Sequence, residues 1–398
     1  MLGHHRGEPR RLASMRLSRD PAARRRLLAL AAIALAALVA GAAVGARGGS
    51  APGRSDAPAP TAAPPPATVE PRAALERRVG QLLILRFVGP RVPGYVTRAL
   101  REGRAAGVVL FADNIEGPEQ LRRLTATIQR AAGGGALVCT DQEGGPVRNV
   151  PGAGPEPAQP AQSTPALATE AARVAARDLR DAGVNVNLAP VADVPSGPAP
   201  VMGARAFPGG AGAVGALVRA AVLGYRRDRV AATVKHFPGL GAASINTDDA
   251  PVTITAGAAE LERRDLEPFR AAVDAGAPLV MASHALYPAL DRERIASQSP
   301  RVLGDLLRGE LRFGGVVMTD SLEAAAVTAR GSIETAATRS VEAGADLVLM
   351  TGRGSYTRVH RRLVRRTERS AALRRRVGES VRRVARLKRE LGLRAPAA

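Results

Sequence analysis

The feature that most constrains the fold is a regular alternation of short apolar runs with longer segments of helical periodicity. Eight apolar runs occupy residues 82–88, 107–111, 136–140, 184–194, 230–234, 278–283, 314–319 and 345–350. Segments with helical spacing lie between them, including 165–182, 211–227, 258–275 and 333–343. Parallel strands covered by helices on both faces read as continuous apolar runs. Eight strands alternating with helices predict an α/β protein of the (β/α)8, or TIM, barrel type.

An open, doubly wound parallel sheet is the competing fold, because it would show a similar alternation. Its dinucleotide-binding members open a helix with G-x-G-x-x-G after the first strand, and other members carry a P-loop. No such Gly-rich turn follows the first run, and no P-loop is present. The pattern therefore favours the closed barrel.

Polar residues gather where the predicted strands end. They are Asp141 after the third run, Arg205 in the loop after the fourth, Lys235 and His236 after the fifth, His284 after the sixth and Asp320 after the seventh. In a (β/α)8 barrel the active site is built from the carboxyl ends of the strands. We expect all of these side chains to face one mouth.

The chemistry of this set points to sugars. A Cys cluster or a pair of His at metal spacing is absent from the sequence, which argues against a zinc enzyme, and no G-x-S-x-G elbow is present for a serine nucleophile. Glycosidases use one carboxylate to attack the anomeric carbon and a second group to protonate the leaving oxygen. Asp320, at the end of a buried strand, is the natural nucleophile, while the cations, the imidazoles and Asp141 would bind the sugar.

Five segments, in this order, carry a resemblance to a known family: GQLLILRFVG (80–89), DQEGGPV (141–147), NLAPVADV (187–194), KHFPGLG (235–241) and FGGVVMTDSL (313–322). They resemble the barrel domain of glycoside hydrolase family 3, especially the single-domain bacterial β-N-acetylhexosaminidases that trim peptidoglycan-derived sugars. The resemblance covers about residues 73–355. It implies retention of anomeric configuration through a covalent intermediate on Asp320. It also implies sugar binding by residues matching Asp141, Arg205, Lys235 and His236, without metal or cofactor.

The chain departs from this family at the expected acid/base. In those hexosaminidases the loop after K-H-F-P-G carries Asp-Ser-His, whose His is the acid/base, whereas here the triplet is Asp248, Asp249, Ala250. Pro146 also stands where the family usually has Arg. Three interpretations follow.

In the first, Asp249 or Asp248 serves as acid/base, because burial and a neighbouring carboxylate can raise the pKa of a carboxyl group. In the second, the enzyme acts on good leaving groups or passes the sugar to acceptors other than water. In the third, the barrel is weakly active or inactive and binds wall glycans. The main expectation is hydrolysis of terminal β-linked N-acetylglucosamine from cell-wall-type glycans, with a β-glucosidase-type activity as a further alternative.

The residues before the barrel predict a membrane segment. Residues 1–26 form a basic tail ending in three Arg, and residues 27–46 are uncharged and apolar. Twenty apolar residues are long enough to cross a bilayer, and the preceding Arg block places the amino terminus in the cytoplasm. Residues 47–72 read as a Pro- and Ala-rich linker, and 73–398 as the barrel with basic carboxyl-terminal helices. We expect an extracytoplasmic protein, either membrane-anchored or secreted if 27–46 is a cleaved signal.

The charge of the chain limits the classes of partner that it can bind. The net charge is +21, and Lys occurs only at positions 235 and 388, so the excess comes from Arg. The Arg clusters at 24–26 and 358–394 suit an anionic lipid or wall polymer. No basic stripe with interleaved aromatics and no zinc finger occurs, so we predict no nucleic-acid partner. One cysteine excludes an internal disulfide. A monomer acting on a glycan is expected.

Overall fold

The computed structural model describes residues 70–352 and 354–395. Its central strands are β1 (Leu83–Arg86), β2 (Gly107–Leu110), β3 (Leu137–Thr140), β4 (Val186–Asn187), β5 (Ala231–Phe237), β6 (Leu279–Ala282), β7 (Val316–Ser321) and β8 (Leu347–Met350). Each strand pairs in parallel with the next, and β8 closes the sheet against β1. The predicted eight-stranded barrel is confirmed.

Helices alternate with the strands along the chain. They are α1 (Arg72–Gly80), α2 (Gly94–Arg101), α3 (Pro118–Ala131), α4 (Pro165–Asp181), α5 (Ala211–Arg226), α6 (Ala258–Glu260), α7 (Glu267–Asp274), α8 (Ala325–Thr328), α9 (Ile333–Ala343), α10 (Ser355–Arg369) and α11 (Ala371–Glu390). Two π-helical segments, Leu261–Asp265 and Arg301–Glu310, complete the ring. Short 3-10 turns lie at Ala112–Asn114, Gln159–Ala161 and Ala296–Gln298, and short antiparallel pairs join Gln142–Gly144 to Val147–Arg148 and Leu286–Tyr287 to Asp291–Ile295. The barrel and its helices form one compact unit.

The apolar core has an inner and an outer part. Inward-facing strand residues such as Ile84, Leu137 and Met318 fill the barrel, and Val384 and Leu387 of α11 join this cluster. The outer faces of the strands pack against the helices. Because apolar side chains fill the inside, the barrel is a solid support for the side chains at its mouth.

Several strands differ from their predicted bounds. The fourth run predicts a strand over 184–194, but the regular strand β4 ends at Asn187. The chain after it still pairs with β5 in an irregular way, through hydrogen bonds to the carbonyls of Ala189 and Pro190 and a parallel bridge from Val191 to Lys235. Conversely, β5 continues to Phe237 and β7 to Ser321, so Lys235, His236 and Asp320 lie within strands rather than after them. Apolarity marks the buried middle of a strand, but it does not mark a polar end that extends into the active site.

The amino-terminal predictions remain predictions. The tail 1–26, the apolar segment 27–46 and nearly all of the linker 47–72 lie outside the described residues. Among the helices that the structure describes, none is long and apolar enough to cross a membrane.

Candidate active site

The carboxyl ends of the strands surround a pocket of about 500 Å³. Six of the residues predicted from the sequence line it, namely Asp141, Arg205, Lys235, His236, Asp248 and Asp320. Their strands or following loops are β3, β4, β5 and β7, which the closed sheet brings to one end. The structure thus brings together five of the six side chains expected at one mouth, together with Asp248.

A buried ion cluster forms one wall of the pocket. The Nζ of Lys235 lies 2.6 Å from Asp141 Oδ1 and 2.6 Å from Glu143 Oε1. Arg205 donates two hydrogen bonds to the same Glu143 carboxylate, at 2.7 and 2.9 Å. Burial alone would raise the pKa of Glu143, but the two cations outweigh it and lower that pKa to about 2. Glu143 is thus a fixed anion that holds both cations in place beside Asp141.

A second group of contacts fixes His236. Its Nδ1 lies 2.7 Å from Asp193 Oδ2, and the other oxygen of Asp193 accepts the backbone N–H groups of His236 and Leu240. Since a carboxylate accepts, Nδ1 carries the proton in this contact. The Nε2 atom then faces Asp320 Oδ2 at 3.9 Å. Asp193, which is fully buried, therefore aims the imidazole at Asp320.

Asp320 is held as an anion. Burial would raise its pKa, but His236, His284 and the backbone N–H of Ser321, which donates to Oδ1 at 2.7 Å, outweigh burial and lower it. Asp248 behaves in the opposite way: burial in the pocket and the charge of Asp320 raise its pKa. The charge of Asp320 thus acts on Asp248 across the pocket, and the pKa values of the two carboxyl groups are shifted in opposite directions.

The backbone fixes Asp248 relative to Asp320. The N–H of Ala325 donates to the carbonyl of Asp248 at 3.0 Å, and the N–H of Ala326 donates to the carbonyl of Thr247 at 3.1 Å. The segment that carries the second carboxylate is thereby tied to the chain just after β7. Asp248 and Asp249, the other predicted acid/base, are both exposed, but only Asp248 lines the pocket.

His284 does not reach the pocket, although the sequence predicts a substrate-binding role for it. Its side chain is fully buried, with Nδ1 2.7 Å from the Ser297 hydroxyl and Nε2 2.9 Å from the carbonyl of Ser321. Burial lowers its pKa. The geometry makes His284 a support for the end of β7 rather than a residue that lines the pocket.

Sequence reasoning underrated two buried carboxylates. Glu143 and Asp193 lie inside the DQEGGPV and NLAPVADV segments; Glu143 follows the third apolar run, and Asp193 lies near the end of the fourth. A carboxylate next to a buried strand requires a cation or an N–H group as partner. This requirement is the sequence feature that could have marked both residues as part of the site. Within the described residues, no three His, Cys, Asp or Glu side chains are grouped so as to hold a metal ion.

A closed parallel barrel whose mouth holds two carboxyl groups with oppositely shifted pKa values beside a cluster of hydrogen-bond donors is typical of glycoside hydrolases. The family model described as the Glycosyl hydrolase family 3 N terminal domain matches residues 74–387. The chain belongs to this family and is a glycosidase.

Known proteins of this kind are similar over most of the barrel. A Beta-hexosaminidase of Stenotrophomonas maltophilia is 35% identical over 279 residues, covering 68% of this chain and 83% of that protein. The solved family 3 β-N-acetylglucosaminidase of a Paenibacillus species has a TM-score of 0.77 and 35% identity, over 81% of this chain and 64% of that chain. The Beta-N-acetylhexosaminidase of Beutenbergia cavernae has a TM-score of 0.74 and 32% identity, over 79% of this chain and 98% of that one.

Proposed function

We propose that the protein is a retaining glycosidase that removes terminal β-linked N-acetylglucosamine from glycans, with Asp320 as nucleophile and Asp248 as acid/base. One observation carries this proposal: Asp248 and Asp320 line the same pocket, on segments joined by backbone hydrogen bonds. The names of the hexosaminidase relatives support the choice of sugar.

The first step breaks the glycosidic bond. Asp320 is ionised and attacks the anomeric carbon, while Asp248 gives its proton to the leaving oxygen. The departing alcohol is neutral, and the sugar is left esterified to Asp320. In the second step the Asp248 carboxylate takes a proton from water, whose oxygen attacks the anomeric carbon and releases Asp320. Two inversions retain the configuration.

The opposed pKa shifts suit these roles. A nucleophile must be ionised at working pH, and an acid must hold its proton. His236, aimed at Asp320 and braced by Asp193, stabilises the charge of the nucleophile. On the other strands of the mouth, Lys235 and Arg205 offer hydrogen-bond donors to the sugar hydroxyls, and Asp141 offers an acceptor.

The acid/base assignment is tested with a series of aryl β-N-acetylglucosaminides whose leaving groups range from dinitrophenol to phenol. Asp248→Asn should lose roughly 10²-fold or more in kcat/KM on the phenyl glycoside and little on the dinitrophenyl glycoside, because a good leaving group does not need a proton. Asp249→Asn is the matched control, and it should change neither. Loss on both substrates with Asp249→Asn, or full activity of Asp248→Asn on the phenyl glycoside, would contradict the assignment.

The sugar and the location need separate tests. Aryl β-glucoside should be turned over more slowly than the N-acetylglucosaminide at equal concentration, and the reverse order would support a β-glucosidase-type activity. The apolar segment 27–46 and the preceding Arg block support an extracytoplasmic, membrane-tethered protein. Fractionation of cells that produce the full chain would test this location.

A further inference from the structure

The helix α11 lies across the amino-terminal ends of the strands, opposite the active-site mouth. The Ser380 hydroxyl donates to Asp346, the residue before β8, at 3.0 Å. Lys388 donates to Gln81, two residues before β1, at 2.8 Å. The N–H of Arg394 donates to the carbonyl of Gly134, three residues before β3, at 3.0 Å. We name this end of the barrel, formed by α11 and the turns that enter the strands, the base.

The base is strongly cationic. Residues 371–394, which comprise α11 and the chain after it, carry eight Arg, one Lys and two Glu. Exposed arginines in or beside the turns that enter β3, β5 and β7 add to this charge: Arg130, Arg227, Arg229 and Arg312. On α11 the acids lie near inner arginines, with Glu379 2.9 Å from Arg376. The positive charge therefore exceeds what the helices neutralise themselves.

Three arginines of α11 form a regular exposed stripe. Arg375, Arg382 and Arg389 follow one another every seven residues, so they lie along one side of the helix roughly 10.5 Å apart. Among the described residues, none of the three has an ion-pair partner. Helix stability does not explain the stripe, because Arg375 lies in the first part of α11, where a cation opposes the helix dipole.

The chain enters the barrel beside this stripe. Glu70 pairs with Arg78 at 2.7 Å, and Arg72 pairs with Glu368, near the end of α10, at 3.0 Å. Arg78 also donates to the carbonyl of Arg374 at the start of α11, at 3.4 Å. Between the predicted membrane segment 27–46 and Glu70 lie 23 residues. At no more than about 3.5 Å per residue, 23 residues reach at most about 80 Å, so a membrane segment at 27–46 would keep the barrel within that distance of a bilayer.

We propose that the base docks on an anionic phospholipid bilayer, with Arg375, Arg382 and Arg389 against the headgroups and the active-site mouth turned away from the membrane. Free wall polymers and nucleic acids offer the same phosphate charges. The bilayer is favoured because the linker delivers the base to it. Docking would direct the pocket toward glycans beyond the membrane surface.

The test measures binding of residues 70–398, the compact unit, to vesicles of phosphatidylcholine with or without one third phosphatidylglycerol. The barrel should bind only the anionic vesicles, and binding should weaken at about 0.5 M salt because the charges are screened. The triple variant Arg375→Gln, Arg382→Gln, Arg389→Gln should bind about a hundredfold more weakly, since each basic residue near the surface contributes roughly fivefold. Arg382→Gln alone should weaken binding about fivefold, which keeps the test valid if the triple variant misfolds.

The matched control replaces Arg91, Arg219 and Arg292 with Gln. These arginines are exposed, make no ion pair among the described residues and lie on other parts of the barrel. The control has the same net charge as the triple variant and should bind within about threefold of wild type. Equal losses in the two triple variants, or no binding of wild type to anionic vesicles, would overturn the proposal. Stronger binding to double-stranded DNA or soluble polyphosphate than to vesicles at equal phosphate would overturn the choice of a bilayer. Turnover of aryl glycoside should be unchanged in every variant.

Discussion

Replacing Glu143 by Gln should destabilise the barrel by an amount that depends on pH. The pKa of this carboxyl falls from an ordinary value of 4.5 to about 2 in the folded protein. This lowering corresponds to about 3 kcal/mol of folding free energy. Because the folded pKa is depressed, this stability is fully present above pH 4.5 and is lost as pH falls toward 2. The advantage of wild type over Glu143→Gln should therefore shrink by roughly half between pH 7 and pH 3.

Urea unfolding followed by circular dichroism at both pH values measures this difference. Glu156→Gln is the matched control, because Glu156 is exposed in the following loop and has no cation partner among the described residues. The control should change the free energy of unfolding by less than about 0.5 kcal/mol at either pH. A loss in Glu143→Gln that stays equal at pH 7 and pH 3 would refute the reasoning, since it would show that packing rather than charge is lost.

Three further changes test other parts of the structure. Asp193→Asn should lower kcat roughly 10²-fold without unfolding the barrel, because His236 loses the carboxylate that orients its ring. Steady-state kinetics measure the loss of kcat, and a thermal melt shows whether the barrel stays folded. Lys388→Met should raise the free energy of unfolding at pH 7 by up to about 4 kcal/mol, since burial lowers the pKa of this lysine to about 7. This gain in stability should vanish toward pH 10, where the lysine of the unfolded chain also loses its proton. Gly241→Ala should cost about 1–3 kcal/mol in urea unfolding, because an added Cβ would lie 1.9 Å from the carbonyl oxygen of Val194.

The sequence predicts the barrel well because buried parallel strands have a strong signature. All eight apolar runs overlap a barrel strand, and the helix predicted over 333–343 has those bounds in the structure. The least accurate prediction is the fourth run, where only Val186–Asn187 forms a regular strand and the residues after it pair with β5 irregularly. Strand ends that carry polar active-site residues, as in β5, are also missed.

The site is only partly predictable because several residues act through other residues. Asp141, Lys235 and Asp320 could be identified from their position after apolar runs. Glu143 and Asp193 are buried behind the pocket, and only coordinates show which cation or imidazole each one holds. His284 shows the opposite error, since a histidine at a strand end can point inward.

The central claim is that Asp320 forms the covalent bond to the sugar. The most direct measurement is the intact mass of the protein quenched during turnover of a fluorinated dinitrophenyl β-N-acetylglucosaminide, followed by peptide mapping. The account predicts one added sugar on the peptide that contains Asp320 in the wild type. No adduct and no dinitrophenol release are expected in a folded Asp320→Asn variant. Turnover without an adduct, or an adduct on another carboxylate, would contradict it.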